Sequence, residues 1–358
     1  MTSANSAAIV IDNYNYARFL VQAIDSALGQ AHPPAQVIVV DDGSTDESRE
    51  VIASYGDRVT PVLTAHQGQA SALNEGFRRV TSDLIIFLDA DDVLLPDVVG
   101  RVIAAARKEA GVAKIQYPMA VIDERGRLTT ARKPPPYLSL PSGDLRRQEL
   151  TMPFDMTWMG GTSGNAYPRW VLENLLPIPQ AQFARCADWY LQHLTPLFGP
   201  VVSLDDAGAL YRIHGANGYE PSSDHLDMDH VRQSVRYALA TRPEIERVAD
   251  NLGLARPREI LSVSELANRL ISKKLDPARH PVSADTVTGL VSKGMTAASR
   301  RFDVMAPLRL GFAAWFVLMA AAPRPLARTL AEAFTFPERR TALNPLLGRM
   351  HRRQPGCR

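Results

Sequence analysis

Leu84-Ile85-Ile86-Phe87-Leu88-Asp89-Ala90-Asp91-Asp92 sets five apolar residues directly before an acidic run. An unbroken apolar run does not suit a strand with one wet face. It predicts a strand buried on both sides, the kind found in parallel sheets. The acidic run then begins at the strand's carboxyl end, where open α/β sheets bind their ligands. Three carboxylates released together at a sheet edge are hard oxygen ligands suited to Mg2+ or Mn2+, and such ions grip phosphates. A divalent ion bridging a diphosphate would neutralise the charge that builds on a nucleoside-diphosphate leaving group. The same aspartates also read as caps for a helix starting near Pro96, or as a solvated turn, because an isolated D-x-D is common.

Upstream of this stretch, short apolar runs alternate with helical patterns, as in βα units around a mostly parallel sheet. Ala7-Ala8-Ile9-Val10-Ile11 predicts a first strand, and Phe19, Leu20, Ala23, Ile24, Ala27 and Leu28 follow at helical spacing. Gln36 to Val40 predicts a second strand and Val59 to Leu63 a third, put at an edge by Pro61. Ser44-Thr45-Asp46 supplies caps for a helix carrying Val51, Ile52 and Tyr55, and Gln69 to Val80 reads as a further helix. Asp41-Asp42-Gly43-Ser44 ends the second strand much as the acidic run ends the later one. A turn with an N-cap at Ser44 explains part of it, but two aspartates also suit the donors of a base imide or a ribose hydroxyl.

Downstream of Val121 the βα rhythm lapses, with a hairpin turn at Asp123-Glu124-Arg125-Gly126 and a loop at Pro134-Pro135-Pro136. From about Ser222 the pattern turns helical, with Val231, Val235 and Leu239, then Ile260, Leu261, Leu266, Leu270 and Ile271, at three- and four-residue steps. A boundary near Ser222-Ser223 divides the chain into an α/β domain, 1–222, and a helical C-terminal region, 223–358. Asp224, His225, Asp227, Asp229 and His230 do not converge on one helical face and read as a solvated helix start rather than a metal site.

The ordered residues of the first hundred positions resemble glycosyltransferase family 2, inverting enzymes with the A-type (GT-A) nucleotide-sugar fold. The match runs through Asn13-Tyr14-Asn15, Leu20, Ala23-Ile24, Ser26 and Gln30, then Val39-Val40-Asp41-Asp42-Gly43-Ser44-Thr45-Asp46. It continues through Gln67-Gly68, Ala72, Asn74 and Gly76 to Phe87-Leu88-Asp89-Ala90-Asp91-Asp92. The resemblance implies an α/β catalytic domain that takes a UDP-sugar and passes its sugar to a hydroxyl of a glycan or lipid-linked acceptor in surface polysaccharide synthesis. It implies that Asn13, Tyr14, Asp41, Asp42 and Asn74 serve the nucleotide, and that Asp91, helped by Asp89, holds a Mn or Mg ion. Further on, Gly161-Thr162-Ser163-Gly164-Asn165 resembles the family's loop between donor and acceptor, where Gly164 would let a sugar approach the backbone. Asp188 matches the family's catalytic base, which takes the proton of the acceptor hydroxyl. His214, in Tyr211-Arg212-Ile213-His214-Gly215-Ala216-Asn217, matches a residue that completes the metal site or touches the diphosphate, and Arg212 beside it suits either phosphate or a surface carboxylate. Two positions depart from the family pattern: Ala187 stands where an acidic residue commonly precedes the base, and Asp12 where a proline or small residue is usual, which should alter that loop. A nucleotidyltransferase also combines carboxylates, a metal and an α/β sheet, but Asp12-Asn13-Tyr14-Asn15 is not a glycine- and basic-rich phosphate loop. A catalytically inactive scaffold that binds nucleotide-sugar or a membrane partner is the other alternative.

Charged residues make up 22% of the 358 positions and the formal net charge is +2, which gives no field that favours nucleic acid as a partner. Cys186 and Cys357 are too far apart in sequence for a metal-ligand spacing and suit a reducing cytosol. No basic n-region precedes the first apolar run, so the sequence does not read as exported. Leu310 to Ala322 is an apolar run too short to span a bilayer, with Arg300, Arg301 and Arg309 before it and Arg324 and Arg328 after it. Beyond Pro323 stand eight arginines against two acidic residues. This end of the chain predicts either a helix packed on protein or peripheral attachment to the anionic inner face of the cytoplasmic membrane.

Overall fold

The computed structural model describes residues 5–136, 138–215, 217 and 226–336. They fall into two compact units, Met1–Arg146 with Thr157–Gly218, and Arg147–Met156 with Tyr219–Arg358. The proposed boundary at Ser222-Ser223, Ala216, Asp224, His225, Cys357 and the basic residues beyond Phe336 lie outside the described residues.

In the first unit β1 (Ala7–Asn13), α1 (Ala17–Leu28), β2 (Gln36–Asp42), α2 (Ser48–Ser54), β3 (Thr60–Thr64), α3 (Gln69–Phe77) and β4 (Leu84–Asp89) follow the alternation seen in the sequence. The first four strands in chain order are parallel, with β1 between β2 and β4 and β3 beyond β2 at the sheet edge. Leu84 to Leu88 and Ala7 to Ile11 are buried on both faces, as their uninterrupted apolar character requires. α1 turns Phe19, Leu20, Ala23, Ile24 and Ala27 inward, the stripe its spacing predicts.

The chain continues through β5 (Val93–Leu94), α4 (Val98–Lys108), β6 (Lys114–Gln116), β7 (Met119–Ile122), β8 (Leu128–Lys133) and α5 (Arg146–Thr151). It then forms β9 (Asn165–Pro168), α6 (Arg169–Leu175), α7 (Gln180–Phe183), α8 (Ala187–Leu194), β10 (Val201–Ser203) and β11 (Ala209–Arg212). The main sheet has seven strands in the order β10-β6-β9-β4-β1-β2-β3, and β9 runs antiparallel to both its neighbours. A second sheet, β5-β11-β7-β8, contains the hairpin predicted at Asp123 to Gly126. Register places the site. Asp12 lies opposite Asp89 and Asn13 opposite Asp41, so the polar ends of three strands meet along one edge. β11 runs antiparallel to β5 and carries Arg212 back to the acidic run.

The second unit is helical, with α9 (Met228–Asn251), α10 (Val263–Leu275), α11 (Val287–Arg300), α12 (Ala306–Ala321) and α13 (Arg324–Thr335). Its core gathers Leu266, Leu270, Leu290, Ala298, Phe316 and Met319. Asp227 caps α9 by accepting the amide of Asp229 at 2.8 Å, and Asp229 pairs with Arg232 and Arg279. The acidic cluster at this helix start is therefore a cap and a set of ion pairs. No helix among the described residues is long and apolar enough to cross a membrane.

Candidate active site

The turn after β1 and the turn after β2 are locked together by side chains. Asn13 is buried and donates from Nδ2 to Asp41 Oδ1 and to Ser44 Oγ, both at 3.1 Å. Asn15 adopts a left-handed φ of 58°, its amide donates to Ser44 Oγ at 2.9 Å, and its Oδ1 accepts from Thr45 N at 2.7 Å. Ser44 is thus a bridge between turns, and the capping of α2 falls to Asp46, whose Oδ1 accepts from Ser48 N at 3.1 Å. Asp41 is fully buried and also accepts from Arg49 Nε at 2.9 Å. Asp42 holds the following loop: it accepts from the amides of Gln67 at 2.9 Å and Gly68 at 2.7 Å and from His66 Nδ1 at 2.9 Å. The His66 ring lies flat on Tyr14, with centroids 3.8 Å apart and planes 16° from parallel. Tyr14 is 40% exposed, so this aromatic pair offers an open face beside two acceptors at the end of the sheet.

One strand over, Asp89, Asp91 and Asp92 each bring a carboxylate oxygen within 4.8 Å of the others, the one such acidic group among the described residues. Asp89 accepts from Gln69 Nε2 at 2.9 Å, and its amide donates to Ser163 Oγ at 3.1 Å. Asp91 accepts from His214 Nε2 at 2.9 Å. Asp92 accepts from the Arg212 amide at 2.9 Å through Oδ1, while its buried Oδ2 has no hydrogen-bond partner. Asp12 joins this group by register and leaves a buried Oδ1 equally unmatched. Burial, reinforced by the charge of Asp91, pushes the Asp12 carboxyl up to about 7. Burial, followed by the neighbouring carboxylates, also holds Asp89 well above the ordinary range, and burial with the charge of Asp91 does the same for Asp92. Crowded, buried carboxylates with orphaned oxygens are a donor set that a hard divalent cation fits.

Asp188 opens the first turn of α8. Its Oδ1 accepts from the Trp189 amide at 2.9 Å and from the Cys186 thiol at 3.2 Å. Burial raises its pKa above the usual aspartate value. Gln69, at the start of α3, joins the parts: Nε2 donates to Asp89 Oδ1 at 2.9 Å and to Thr162 Oγ1 at 3.1 Å, and Oε1 accepts from the Ala187 amide at 3.2 Å.

The structure thus brings Asp89, Asp91, His214 and Asp188 toward one place and sets Asn13, Tyr14, Asp41 and Asp42 at the adjoining strand ends. Asn74 stands apart from these contacts. It is buried, and its amide is used on both sides by Ile178, donating to the carbonyl at 3.0 Å and accepting from the N–H at 2.8 Å. The tightness at Gly164 comes from the interior: a Cβ there would lie 2.4 Å from Met159 Cγ and 3.3 Å from the Tyr117 carbonyl. Arg212, read in the sequence as a partner for phosphate or for a surface carboxylate, is placed against the acidic run. It is buried, donating from Nε to the Asp91 carbonyl at 2.7 Å and from Nη2 to Gln22 at 2.6 Å. Asp12 stands beside the carboxylate group, opposite Asp89 in register. Gln69, His66 and the full part of Asp12 and Asp92 are absent from the sequence reading. Aligning β1 with β4 by their apolar runs is the one sequence signal that would have paired Asp12 with Asp89.

An open α/β sheet of this strand order, flanked by helices and with carboxylates gathered at its strand ends, is the A-type nucleotide-diphospho-sugar transferase fold. Comparison with known proteins carries this further: the model for glycosyl transferase family 2 matches residues 8–161. That match takes in less than half of the chain. An uncharacterized glycosyltransferase of Nostoc sp. is 36% identical over 218 residues, which cover 59% of this chain and 66% of the relative. Another, of Rickettsia prowazekii, is 39% identical over 90 residues, 25% of this chain and 28% of the relative. The chain therefore spans less than two thirds of the length of these relatives. Among solved structures, S. aureus TarS 1-349 in complex with UDP-GlcNAc has the same fold, with a TM-score of 0.51 at 15% identity over 92% of each chain.

Proposed function

We propose that this chain moves a sugar, with inversion, from a UDP-sugar to a hydroxyl of a glycan or lipid-linked acceptor in surface polysaccharide synthesis, at the inner face of the cytoplasmic membrane. The observation that carries the reading is the bridge at Gln69, which holds Asp89 on one side and the start of the Asp188 helix on the other. A donor anchored at the first and an acceptor at the second would meet at a fixed distance, which is what a direct displacement needs. The UDP-GlcNAc bound by TarS supports a uridine nucleotide as the donor.

Each part of the chain has a task in this reaction. The Tyr14–His66 face and the strand ends at Asp41 and Asp42 seat the nucleoside. Asp89 and Asp91, with Asp92 and His214 against them, hold a Mn or Mg ion, which supplies positive charge to the diphosphate leaving group. Asp188 takes the proton of the acceptor hydroxyl as its oxygen forms a bond to the anomeric carbon and the bond from that carbon to the diphosphate oxygen breaks. Both hydrogen bonds to Asp188 go to Oδ1, which leaves Oδ2 to face the acceptor. A single displacement with no protein nucleophile inverts the anomeric centre. Asp188→Asn should lower transfer by about 10²- to 10⁴-fold, the usual worth of a general base, while a thermal-shift titration with the donor and manganese stays near wild type. Asp91→Ala should lose the manganese-dependent part of that donor shift. Unchanged transfer by Asp188→Asn would remove Asp188 from the mechanism.

A further inference from the structure

α12 is apolar on all sides, yet only one side has a protein partner among the described residues. Leu308, Phe316 and Met319 are buried in the helical core, and Trp315 Nε1 donates to the Leu330 carbonyl at 3.1 Å. On the other side Pro307, Leu310, Ala314, Val317, Leu318 and Ala321 are exposed at steps of three and four residues, one continuous stripe. Leu310 is 71% exposed and Leu318 57%. Contiguous exposed apolar patches mark a surface that meets something.

The charges around the stripe say what it meets. From Val304 to Ala331 there is no acidic residue, and Arg309 stands near one end of the helix with Arg324 beyond the other, while Arg328 further on pairs with Glu332. Beside the amino-terminal half of α12 lies a cavity of about 620 Å³ whose lining includes Arg147, Arg258, Arg300 and Arg301 and one acidic residue, Glu259, which pairs with Lys293. Arg301 ties that cavity to α12, its guanidinium lying 5.5 Å over the Phe312 ring, and is itself neutralised by Asp155 and Asp303. Arg147, Arg258 and Arg300 have no carboxylate within ion-pair distance among the described residues. A second copy of this chain docked stripe to stripe would set arginine against arginine at both ends. A surface of anionic phospholipid offers acyl chains to the stripe and phosphates to the guanidinium groups at once. α12 spans roughly 24 Å at 1.5 Å per residue, too short to cross the hydrocarbon core.

We infer that the outer stripe of α12, flanked by Arg309, Arg324 and the arginine-lined cavity at Arg258 and Arg300, is a docking surface that lies flat in an anionic membrane interface. The inference rests on the peripheral location proposed for the enzyme and fixes which face makes contact. The test is co-sedimentation of the full chain with vesicles of phosphatidylcholine alone or with phosphatidylglycerol added, at low and at high salt. The wild type should bind the anionic vesicles at least about tenfold better, with salt weakening binding. Leu310→Glu with Leu318→Glu should lose binding to both vesicles, and Arg258→Ser with Arg300→Ser should lose the anionic preference. All variants should keep the wild-type Tm and the wild-type transfer to a soluble acceptor. That last readout separates failure of the surface from failure of the transferase reading. No binding to anionic vesicles at low salt, or undiminished binding by the leucine variant, overturns the inference. So does a sedimentation-velocity result in which the wild type is a dimer and the leucine variant a monomer without vesicle binding, which assigns the stripe to a second copy.

Discussion

Gln69 touches both halves of the proposed chemistry with one amide. Removing it leaves Asp89 without its donor and the Ala187 amide without its acceptor, at about 0.5–1.5 kcal/mol for each hydrogen bond. Gln69→Ala should therefore lower kcat by roughly 10- to 100-fold with less change in acceptor KM, and steady-state kinetics with both substrates would show it. A fall in donor affinity alone, with kcat intact, would confine Gln69 to holding Asp89. Asp12 gives a pH-dependent consequence. Its carboxyl is raised to about 7 by burial and the charge of Asp91, so the folded state holds the proton more tightly than the unfolded chain. The stability that follows is fully present below about pH 4 and is lost as pH rises through about 7. His193, lowered to about 3 by burial, has the opposite slope over part of this range, so the comparison must be between variants. Asp12→Asn should gain Tm relative to wild type steadily from pH 4 to pH 8, and manganese should stabilise the wild type more at pH 8 than at pH 5. Parallel pH profiles for the two proteins would show that Asp12 is not charged against Asp91.

At the scale of elements, the strands that carry the site are the ones the sequence makes plain. The central residues of β1, β2 and β4 are apolar because both their faces are covered, and the polar residues that follow, Asn13, Asp41 and Asp42 among them, stay buried and are met by hydrogen bonds. β9 is different. Asn165-Ala166-Tyr167-Pro168 is short and mixed in character, and it becomes a strand only because β4 and β6 leave a gap that its backbone fills in the antiparallel sense. α3 shows how closely an element must lie to its sheet. A Cβ on Gly76 would fall 2.3 Å from Val10 Cγ1 and 3.1 Å from Val40 Cγ2. Gly76→Ala should destabilise by about 1–3 kcal/mol, the usual cost of overpacking, and displace the amino end of α3 where Gln69 stands. Thermal melts by circular dichroism, read beside the transfer rate, would show both effects. An unchanged Tm would mean that the helix moves away without cost.

Across the whole molecule, residues 147–156 join the helical unit although α9, the first of its long helices, begins only at Met228. Asp155 explains this: it accepts from the Val263 amide at 2.8 Å and the Ser264 amide at 2.7 Å and pairs with Arg301. A carboxylate at the start of α10 satisfies two donors that the helix cannot, and nothing in the local sequence around Asp155 announces the partner. The sequence by itself determined the α/β alternation, the acidic run after β4 and the apolar, arginine-flanked helix near the end, because each is written in contiguous residues or in a short period. Only the tertiary structure decided that Asp12 stands among the carboxylates, that Asn74 is spent on the backbone of Ile178, that Gln69 joins the acidic run to the start of α8, and which face of α12 is left uncovered. Those depend on strand register and on contacts between residues far apart in the chain. That information exists only once the chain has folded.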